Sequence, residues 1–412
     1  MRSLRKLDHA LYVGLVWFAL AVTGWSLRSA PLAIIGVLGA LTTGAMYLWQ
    51  RECLVGVTYS HRLSQTRAMF DERVTLEIEI VNDKLLPLSW LRAEEDVPSA
   101  LSIEGGDIIS GRDYVNTLVH VLPMLPYQRA RRRLTVVCNR RGEHTFGPAL
   151  VSSGDPIGLR ARSGLVSDRQ YLLVYPKVFA LAPTSVVSRV LIGEVRSRFE
   201  FLEDPSRAAG VREYRAGDPL RYVDWRATAR RTALLVRQFE PSVSLRVALF
   251  VDFRVPYVNA WSFEAPELEF AVAVAASIIS ELTQRKVATG LFSSGEISGK
   301  PLAYLPSASP GAFPTMLEAL ARATSFGKVR FAEVLSAESG RLQRGTSVLV
   351  VAADFPEATM LGITELRRRH AVTAVWVETE RGSPPPLGLV DGLLSVRYSD
   401  DWQRREVLEL AS

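Results

Sequence analysis

Two long apolar runs at the start of the chain constrain every later part of the fold. They span Leu11–Leu27 and Pro31–Trp49, contain no charged residue, and are separated only by a few residues around Arg28. A helix needs about 20 apolar residues to cross the hydrocarbon core of a bilayer, and each run is close to that length. The pattern predicts a tight hairpin of two transmembrane helices over residues 1–50.

Basic residues flank the hairpin on both outer sides: Arg2, Arg5, Lys6, Arg51, Arg62 and Arg67. The positive-inside rule therefore places both termini and the soluble domains in the cytoplasm, with the short turn outside. The chain is expected to be a multi-pass protein of the inner membrane, with lipid as one partner. A cleaved signal peptide is disfavoured because the second run would stop transfer. A buried hairpin in a soluble protein is disfavoured because neither run has a charged face.

The composition of the body limits its compartment and partners. The roughly 360 residues after Arg51 are enough for two domains. Cys53 and Cys138 are the only cysteines, which suits a reducing compartment and gives neither a disulfide framework nor a zinc motif. The net charge of +6 is the balance of 49 basic and 43 acidic residues. Nucleic acid is not an expected partner, because a genome-binding protein normally has a denser basic face.

Residues 51–180 show the pattern of an antiparallel β domain. Apolar and polar residues alternate strictly along Val74–Ile80 and again along Arg132–Cys138, and short runs between them are punctuated by proline and glycine. Regularly spaced short strands of this kind predict an all-β, immunoglobulin-like sandwich. The basic run Arg129–Arg133 has two interpretations, a nucleic-acid patch or a charged edge strand, and we favour the edge strand.

Strands and helices alternate over residues 241–412. The expected strands are Leu245–Asp252, Val287–Phe292, Ser347–Ala352, Val372–Val377 and Leu394–Tyr398; the expected helices are Glu264–Arg285, 311–323, 330–343, one through Leu366–Arg369, and Trp402–Leu410. This alternation predicts an α/β, Rossmann-like domain with a parallel sheet covered on both faces. Asp252 and Asp354 fall at carboxyl ends of strands, where open α/β sheets bind ligands.

A segment rich in arginine, carboxylate and aromatic residues connects the two domains within residues 181–240. Its signature positions are Arg212, Glu213, Tyr214, Gly217, Asp218, Arg221, Asp224, Trp225, Arg226 and Arg230. Asp218 is expected to cap a short helix that starts at Pro219. We expect a buried ion-pair network between the soluble domains, with Trp225 as apolar cover; the alternative is an exposed docking surface. The signature contains no histidine, cysteine or serine nucleophile.

The signature resembles that of the domain of unknown function 58 family, in the order R-E-Y, G-D, R, D-W-R, A-R. Further matching elements are Arg141-Gly142, Phe146–Pro148, Gly154–Leu159 and Val174–Pro176, although Ile157 stands where the family usually has an aromatic residue. The resemblance implies a von Willebrand factor type A-like C-terminal domain. It also implies a partnership with a MoxR-type AAA+ ATPase.

Type A domains hold Mg²⁺ with a D-x-S-x-S motif, a threonine and a later aspartate. This chain keeps Asp252 and has Asp354 for the later aspartate, but Phe253, Arg254, Val255 and Pro256 replace the serine-bearing stretch. Because Arg254 brings a positive charge near Asp252, we expect a degenerate site without metal; a functional Mg²⁺ site stays the alternative. No cofactor fingerprint occurs, so no cofactor is expected.

The sequence therefore predicts a non-enzymatic, membrane-anchored interaction protein. The resemblance implies an adaptor that helps an AAA+ ATPase assemble or activate an envelope or metalloprotein complex. Two rival classes remain. One is an enzyme or anion-binding protein that uses the signature arginines as a phosphate or carboxylate site. The other is a membrane-proximal nucleic-acid binder, whose affinity would fall steeply with salt.

Overall fold

The chain divides into two compact units, Met1–Val174 and Tyr175–Ser412. The computed structural model describes residues 2–111, 115–158, 161–166, 168–182, 203–215, 218, 220–231, 233–241, 246–254, 266–325, 329–380, 382–386 and 388–411.

The first unit begins with an antiparallel pair of helices, α1 (Arg2–Ser26) and α2 (Ala30–Glu52). Glycines let the two backbones touch. A Cβ added at Gly24 would lie 2.3 Å from the backbone nitrogen of Ala33, and one at Gly36 would lie 2.4 Å from that of Ala21. Close backbone contact through small residues is typical of helix pairs in membranes, where no hydrophobic effect drives helices together.

The surfaces of these helices are apolar and largely uncovered. Phe18, Trp25 and Leu41 are 64%, 83% and 64% exposed, and such side chains need apolar surroundings. By length and composition, Ala30–Glu52 can cross a membrane, whereas the apolar stretch Tyr12–Ser26 of α1 is shorter. The structure thus gives one candidate span, which is weak support for membrane anchoring. The second crossing and its orientation stay predictions.

Twelve strands lie in the described part of residues 57–174. They are β1 (Val57–Leu63), β2 (Arg67–Ala68), β3 (Arg73–Asn82), β4 (Leu88–Pro98), β5 (Ser102–Glu104), β6 (Asp107–Ile109), β7 (Val115–Met124), β8 (Arg129–Val137), β9 (Gly142–Phe146), β10 (Ala149–Gly154), β11 (Ala161–Val166) and β12 (Gln170–Val174). They form three sheets, ordered β1-β3-β8-β5, β11-β10-β4-β7-β6 and β2-β12-β9. Every neighbouring pair is antiparallel except β2 and β12.

The period-two pattern correctly locates the core of this domain. Alternate residues of β3 from Val74 to Ile80 are at most 3% exposed. The two strands expected from alternation pair with each other, with Leu76 opposite Leu134. Buried side chains from all three sheets join one hydrophobic cluster. The prediction of an antiparallel β domain is therefore confirmed.

The arginine run lies on a partly open strand. β3 pairs with β8 along its full length, but β5 covers only the far end, from Thr135 to Val137. Arg131 and Arg133 form ion pairs across the strand with Glu79 and Glu77, at 2.7 and 3.3 Å. The structure favours the edge-strand interpretation, because charge on an open edge discourages pairing with other chains.

A buried polar cluster lies inside the β domain. The Tyr59 hydroxyl donates to one carboxylate oxygen of Glu95 at 2.5 Å, and the Nδ1 atom of His61 lies 2.6 Å from the other. The side chains of His61 and Glu95 are 1% and 0% exposed. Burial, the largest effect, lowers the pKa of His61. The hydrogen bond to Glu95 and the charges of Glu95 and Asp168 outweigh it, so the net shift is upward.

The second unit contains a six-stranded sheet: β16 (Arg246–Val251), β17 (Ala288–Ile297), β18 (Lys300–Ser307), β19 (Ser347–Ala352), β20 (Val372–Glu378) and β21 (Gly392–Arg397). The order is β18-β17-β16-β19-β20-β21, and every pair is parallel except β17 with β18. This is the 3-2-1-4-5-6 order of doubly wound folds. The strand order reverses between β16 and β19, which are parallel neighbours at the centre of the sheet. Open α/β sheets bind ligands at the carboxyl ends of the strands at such a point.

Helices connect these strands: α4 (Pro266–Gln284), α5 (Ala312–Arg322), α6 (Phe331–Ser339) and α7 (Glu357–Arg367). The separate α3 lies earlier in the chain, at Trp225–Thr228. The apolar face predicted for α4 is buried, and burial extends around the helix to Phe270, Val274 and Ile278. Helices that are apolar all round are found in protein cores, so α4 is a core element.

One strand of this unit was not predicted, and one predicted helix is wrong. The unpredicted strand is the antiparallel β18, whose proline-containing sequence gives a weak strand signal. The predicted helix is Trp402–Leu410, where the structure has a single 3₁₀ turn, η2 (Trp402–Arg404), and strand β22 (Val407–Leu408). β22 pairs in parallel with β13 (Ala180–Leu181). Trp402 is 3% exposed and its ring centroid lies 5.7 Å from that of Phe270, so aromatic packing overrides local helical propensity.

We expect Glu95→Gln to destabilise the β domain most at acidic pH. Because the folded pKa of His61 lies above its ordinary value of about 6.5, the pair stabilises the fold below that pH. This contribution disappears as the pH rises through the folded pKa. Breaking a buried pair costs on the order of 3–5 kcal/mol. Amide hydrogen exchange of β1 and β4, in the full chain in detergent, measures the change.

Glu77→Gln is the matched control, because it removes a carboxylate whose ion pair lies at the surface. It should change exchange little at any pH. An equal loss of protection in Glu95→Gln at every pH would contradict the assigned role of protonated His61.

Candidate functional site

The signature segment forms a β-hairpin whose tip carries short helical turns. Strand β14 (Glu203–Glu213) pairs antiparallel with β15 (Leu235–Pro241), with irregular register near Ala208. Between them lie the 3₁₀ turn η1 (Leu220–Tyr222) and α3. Glu213 lies opposite Leu235, and the Tyr214 amide donates to the carbonyl of Leu234 at 2.8 Å. Gly217 lies outside the described residues.

Asp224, rather than the predicted Asp218, caps the helix of this segment. Its Oδ1 accepts the amides of Arg226 and Ala227, both at 3.1 Å, and its Oδ2 accepts Arg237 Nε at 3.0 Å. The Asp224 amide donates to the carbonyl of Leu235. The backbone hydrogen bond from Ala227 and then the bond from Arg237 lower the pKa of Asp224. One carboxylate thus joins α3 to β15.

Asp218 holds the preceding turn to β14. Both of its oxygens accept from the Arg212 guanidinium, at 2.6 and 2.7 Å, and Oδ2 also accepts the Arg215 amide at 2.8 Å. The bond from Arg212, followed by that from Arg215, lowers the pKa of Asp218 to about 2. The predicted capping role is wrong because this carboxylate is already used by a bidentate arginine pair, a geometry that fixes direction as well as distance.

Several apolar and basic side chains at the tip are exposed. Trp225 is 66% exposed and Leu220 is 64% exposed. The Arg221 guanidinium lies 4.7 Å from the ring centroid of Tyr222. Arg226 and Arg230 are exposed, and within the described part of the hairpin neither forms an ion pair. The prediction that Trp225 covers a buried network is therefore wrong.

We call these residues the tip surface: the exposed Leu220, Arg221, Trp225, Arg226 and Arg230, together with the half-buried Tyr222. Tryptophan, tyrosine and arginine are the residue types that contribute most to binding energy at protein interfaces. A tip fixed from within by Asp218 and Asp224 presents these side chains in a defined geometry, which reduces the entropic cost of association.

The second candidate region is the carboxyl edge of the parallel sheet, at Asp252. Asp252 is 8% exposed, and its Oδ1 accepts the Arg254 amide and the Ser294 hydroxyl, both at 3.0 Å. Its own amide donates to the carbonyl of Val351 at 2.9 Å. Burial raises the pKa of Asp252 to about 6; the two hydrogen bonds oppose this rise, and the charge of Asp354 adds to it.

Asp354 lies at the same edge and has different partners. Its Oδ1 accepts the Ser383 amide at 3.1 Å. The Arg254 guanidinium donates to the carbonyl of Val329 at 3.3 Å, and its charge lowers the pKa of Asp252 only as a lesser effect. Within the described residues, no three histidine, cysteine or acidic side chains are grouped to hold a metal ion. Val255 and Pro256 lie outside the described residues.

Ser294, which was not predicted as a site residue, is 4% exposed and contacts Asp252 directly. Its hydroxyl oxygen also accepts the Phe253 amide at 3.0 Å. The signal was available in Ser293-Ser294-Gly295, which falls near the carboxyl end of the neighbouring parallel strand. A Cβ at Gly295 would lie 2.7 Å from the Phe253 ring, so glycine is required for that ring to pack here.

Comparison with known proteins places this segment and most of the sheet in one match. The family described as "Protein of unknown function DUF58" matches residues 210–394. The "Uncharacterized protein YeaD" of Bacillus subtilis (strain 168) is 25% identical over 237 residues, which is 58% of this chain and 56% of that protein. The chain thus matches little more than half the length of this relative.

Two solved structures with low TM-scores are among those similar to part of the chain. A cohesin module from a Clostridium perfringens family 33 glycoside hydrolase is 9% identical, covers 29% of this chain and 96% of that one, and has a TM-score of 0.21. The C-terminal domain of wzt is 8% identical, with coverages of 30% and 75% and a TM-score of 0.21. Scores this low bear on neither fold nor function. The sequence similarity is therefore to a family whose function is unknown.

Proposed function

We propose that the chain is a membrane-anchored, non-enzymatic adaptor that docks a protein partner on the tip surface. The observation that carries this proposal is Trp225, which is 66% exposed although the helix that bears it is fixed by Asp224. Most of this large apolar ring is left in water, where it adds little to the stability of the hairpin. A partner that covers the ring would gain its burial, about 25 cal/mol per Å² of apolar surface removed from water.

The charge of the tip surface defines the partner's chemistry. Arg221, Arg226 and Arg230 add positive charge around Trp225, since the nearby carboxylates of Asp218 and Asp224 are engaged inside the hairpin. An acidic partner surface would match this arrangement and would be steered toward it. The resemblance to the domain of unknown function 58 family supports a MoxR-type AAA+ ATPase as partner, in assembly or activation of an envelope or metalloprotein complex.

The proposed function includes an arrangement of the anchor and of the two soluble domains. We propose that α1 and α2 both cross the inner membrane and that the soluble domains are cytoplasmic. The β domain is proposed to be an immunoglobulin-like sandwich. A parallel sheet in 3-2-1-4-5-6 order with an antiparallel third strand supports a von Willebrand factor type A-like domain for the second unit.

Trp225→Ala should remove partner binding and leave the fold intact. Surface substitutions away from special features change stability by about 0.5 kcal/mol or less, whereas truncation of a central interface tryptophan costs about 2 kcal/mol or more in binding. The measurement is co-purification of a MoxR-type ATPase from detergent-solubilised membranes, with thermal unfolding of the same sample.

Leu361→Ala is the matched control, because Leu361 is also 66% exposed but lies on α7. The Leu361→Ala protein should still co-purify with the ATPase. A Trp225→Ala protein that still retains the ATPase would contradict the docking proposal. Steeply salt-dependent binding of nucleic acid through the same arginines would favour the rival class instead.

Asp224→Ala and Asp224→Asn should separate the capping role from the ion pair. Loss of an N-cap leaves helix amides without an acceptor, so Asp224→Ala should loosen α3 and weaken partner binding indirectly. Asparagine retains a cap acceptor but loses the charge that faces Arg237. Asp224→Asn should therefore preserve most of the α3 helix and most of the partner binding. Amide exchange across residues 225–228 reports the cap. Equal loss of protection in the two variants would show that the ion pair matters more.

Asp252→Asn should stabilise the second unit at neutral pH. The folded pKa of about 6 lies above the ordinary value of about 3.9, so the folded state keeps a proton that the unfolded state releases. Ionisation therefore costs stability as the pH rises from about 4, and the full cost is reached above the folded pKa. Asparagine keeps an acceptor for Ser294. The gain at pH 8 should be on the order of 2–3 kcal/mol, measured by thermal unfolding at several pH values.

Millimolar Mg²⁺ should leave the unfolding midpoint of the unsubstituted chain unchanged. A cation bound only by the folded state, at about 100 times its Kd, would add roughly 2.7 kcal/mol. A Mg²⁺-dependent rise that disappears in Asp252→Asn would show that the edge of the sheet binds metal.

A further inference from the structure

Two turns at one end of the β domain are joined into a single rigid unit. One connects β3 to β4 and the other connects β7 to β8. The Tyr127 amide donates to the carbonyl of Lys84 at 3.2 Å, and the Asn82 side chain donates to the carbonyls of Leu86 and Leu125 at 3.1 and 2.9 Å. Asn82 itself is fully buried, so the amide group that joins the turns is held by the core.

The tips of these turns carry large apolar side chains. Leu85 is 76% exposed, and Leu125 and Tyr127 are each 67% exposed. Turn tips are ordinarily occupied by glycine, proline and small polar residues, which suit both turn geometry and water. Three large apolar groups on two joined turns form a patch, and such patches on proteins mark binding surfaces.

This patch lies beside the end of α2. The Lys84 ammonium donates to the carbonyl of Cys53 at 2.8 Å, and the Asp83 amide donates to the carbonyl of Gly56 at 2.8 Å. On the helix itself, Trp49 packs against the hydrophobic core of the β domain, and Arg162 donates to the carbonyl of Arg51 at 2.7 Å. The last turn of α2 is thus fixed to the domain.

The length of α2 sets the level of the patch. Its 23 residues rise about 34 Å, slightly more than the hydrocarbon thickness of about 30 Å. If α2 crosses the bilayer, its end near Glu52 therefore lies among the lipid headgroups. Lys84 donates to the carbonyl of Cys53, the residue after Glu52, so the turn that carries Leu85 begins at the same level.

We propose that Leu85, Leu125 and Tyr127 form a lipid-contacting rim that inserts into the bilayer interface around the exit of α2. The inference rests on the proposed membrane anchoring and extends it to the soluble domain. Tyrosine suits the headgroup level, where its ring is apolar and its hydroxyl is hydrated. Lys84 and Arg51 place positive charge at the same level, where anionic lipids are attracted. Contact at both the helix and the rim would fix the tilt of the β domain on the membrane.

A depth measurement in proteoliposomes tests the rim. In three variants of the full chain, a single cysteine replaces Leu85, Leu125 or Met69 and is labelled with the environment-sensitive fluorophore NBD. The proteoliposomes contain lipids that carry a nitroxide quencher near the headgroup. The native Cys53 and Cys138 are both buried, and burial raises the pKa of the Cys138 thiol to about 11, so they should label poorly. A mock-labelled chain without the added cysteine gives the background.

Met69 is the matched control, because it is also an exposed apolar residue in a turn, with the Glu72 amide donating to its carbonyl. It lies at the opposite end of β3, a strand of ten residues and about 33 Å in length. Labels at Leu85 and Leu125 should lose most of their emission to the quencher and shift to the blue. The label at Met69 should keep its emission and stay red-shifted.

A fourth label at Gly44 in α2 separates failure of the rim from failure of the membrane anchor. The position tolerates a side chain, since a Cβ there meets no atom within 4 Å. In lipids quenched near the bilayer centre, loss of its emission reports the anchor. Quenching at Gly44 with emission retained at Leu85 and Leu125 would overturn the rim and keep the anchor. Retained emission at all positions would overturn both. Equal quenching at Met69 and Leu85 would also overturn the rim, because contact would not be confined to one end of the domain.

Discussion

Two carboxylates that are engaged within the hairpin determine which of its side chains are left exposed to solvent. Asp218 and Asp224 accept from the backbone and from Arg212 and Arg237, and the remaining tip arginines face water as a consequence. Asp252 also accepts an amide and the Ser294 hydroxyl on one oxygen at the sheet edge, but its burial raises its pKa and makes its ionised form costly, unlike that of Asp218 or Asp224. Hydrogen bonds in which the acceptor is ionised are shorter and stronger than neutral ones, which suits a carboxylate that holds a turn in place. In the hairpin, Asp218 and Asp224 thus hold the backbone, and the exposed arginines and Trp225 of the tip surface are left for contact.

The regular elements were predictable because their signals are local. Buried strand Ser347–Ala352 was found with its observed bounds, since a short run of β-branched residues between turns has few alternative structures. That signal depends only on residues adjacent in sequence.

The errors arose where distant residues decide the outcome. The signature segment has the composition of a buried ion-pair network and of an exposed docking surface alike, and only the fold shows that Trp225 faces water. Asp218 and Asp224 are both acceptable helix caps by residue type. The bidentate bond from Arg212 withdraws the first from capping, and that bond depends on the register of β14 with β15. Ser294 was missed for the same reason, because its contact with Asp252 exists only once two parallel strands are paired.

Membrane attachment changes what the tip surface must achieve in the proposed function. A partner already held at the same membrane meets the chain at a high effective concentration, so a small patch around Trp225 can suffice where free proteins would need a larger interface. That gain depends on geometry, because avidity is lost when the two surfaces cannot engage together. A β domain joined to the membrane by a flexible linker would sample many tilts. Attachment of the last turn of α2 to the β domain through Trp49 and Arg162 removes part of this freedom, and a lipid-contacting rim at Leu85 would remove more. In the proposed function, this attachment restricts how the β domain is oriented on the membrane.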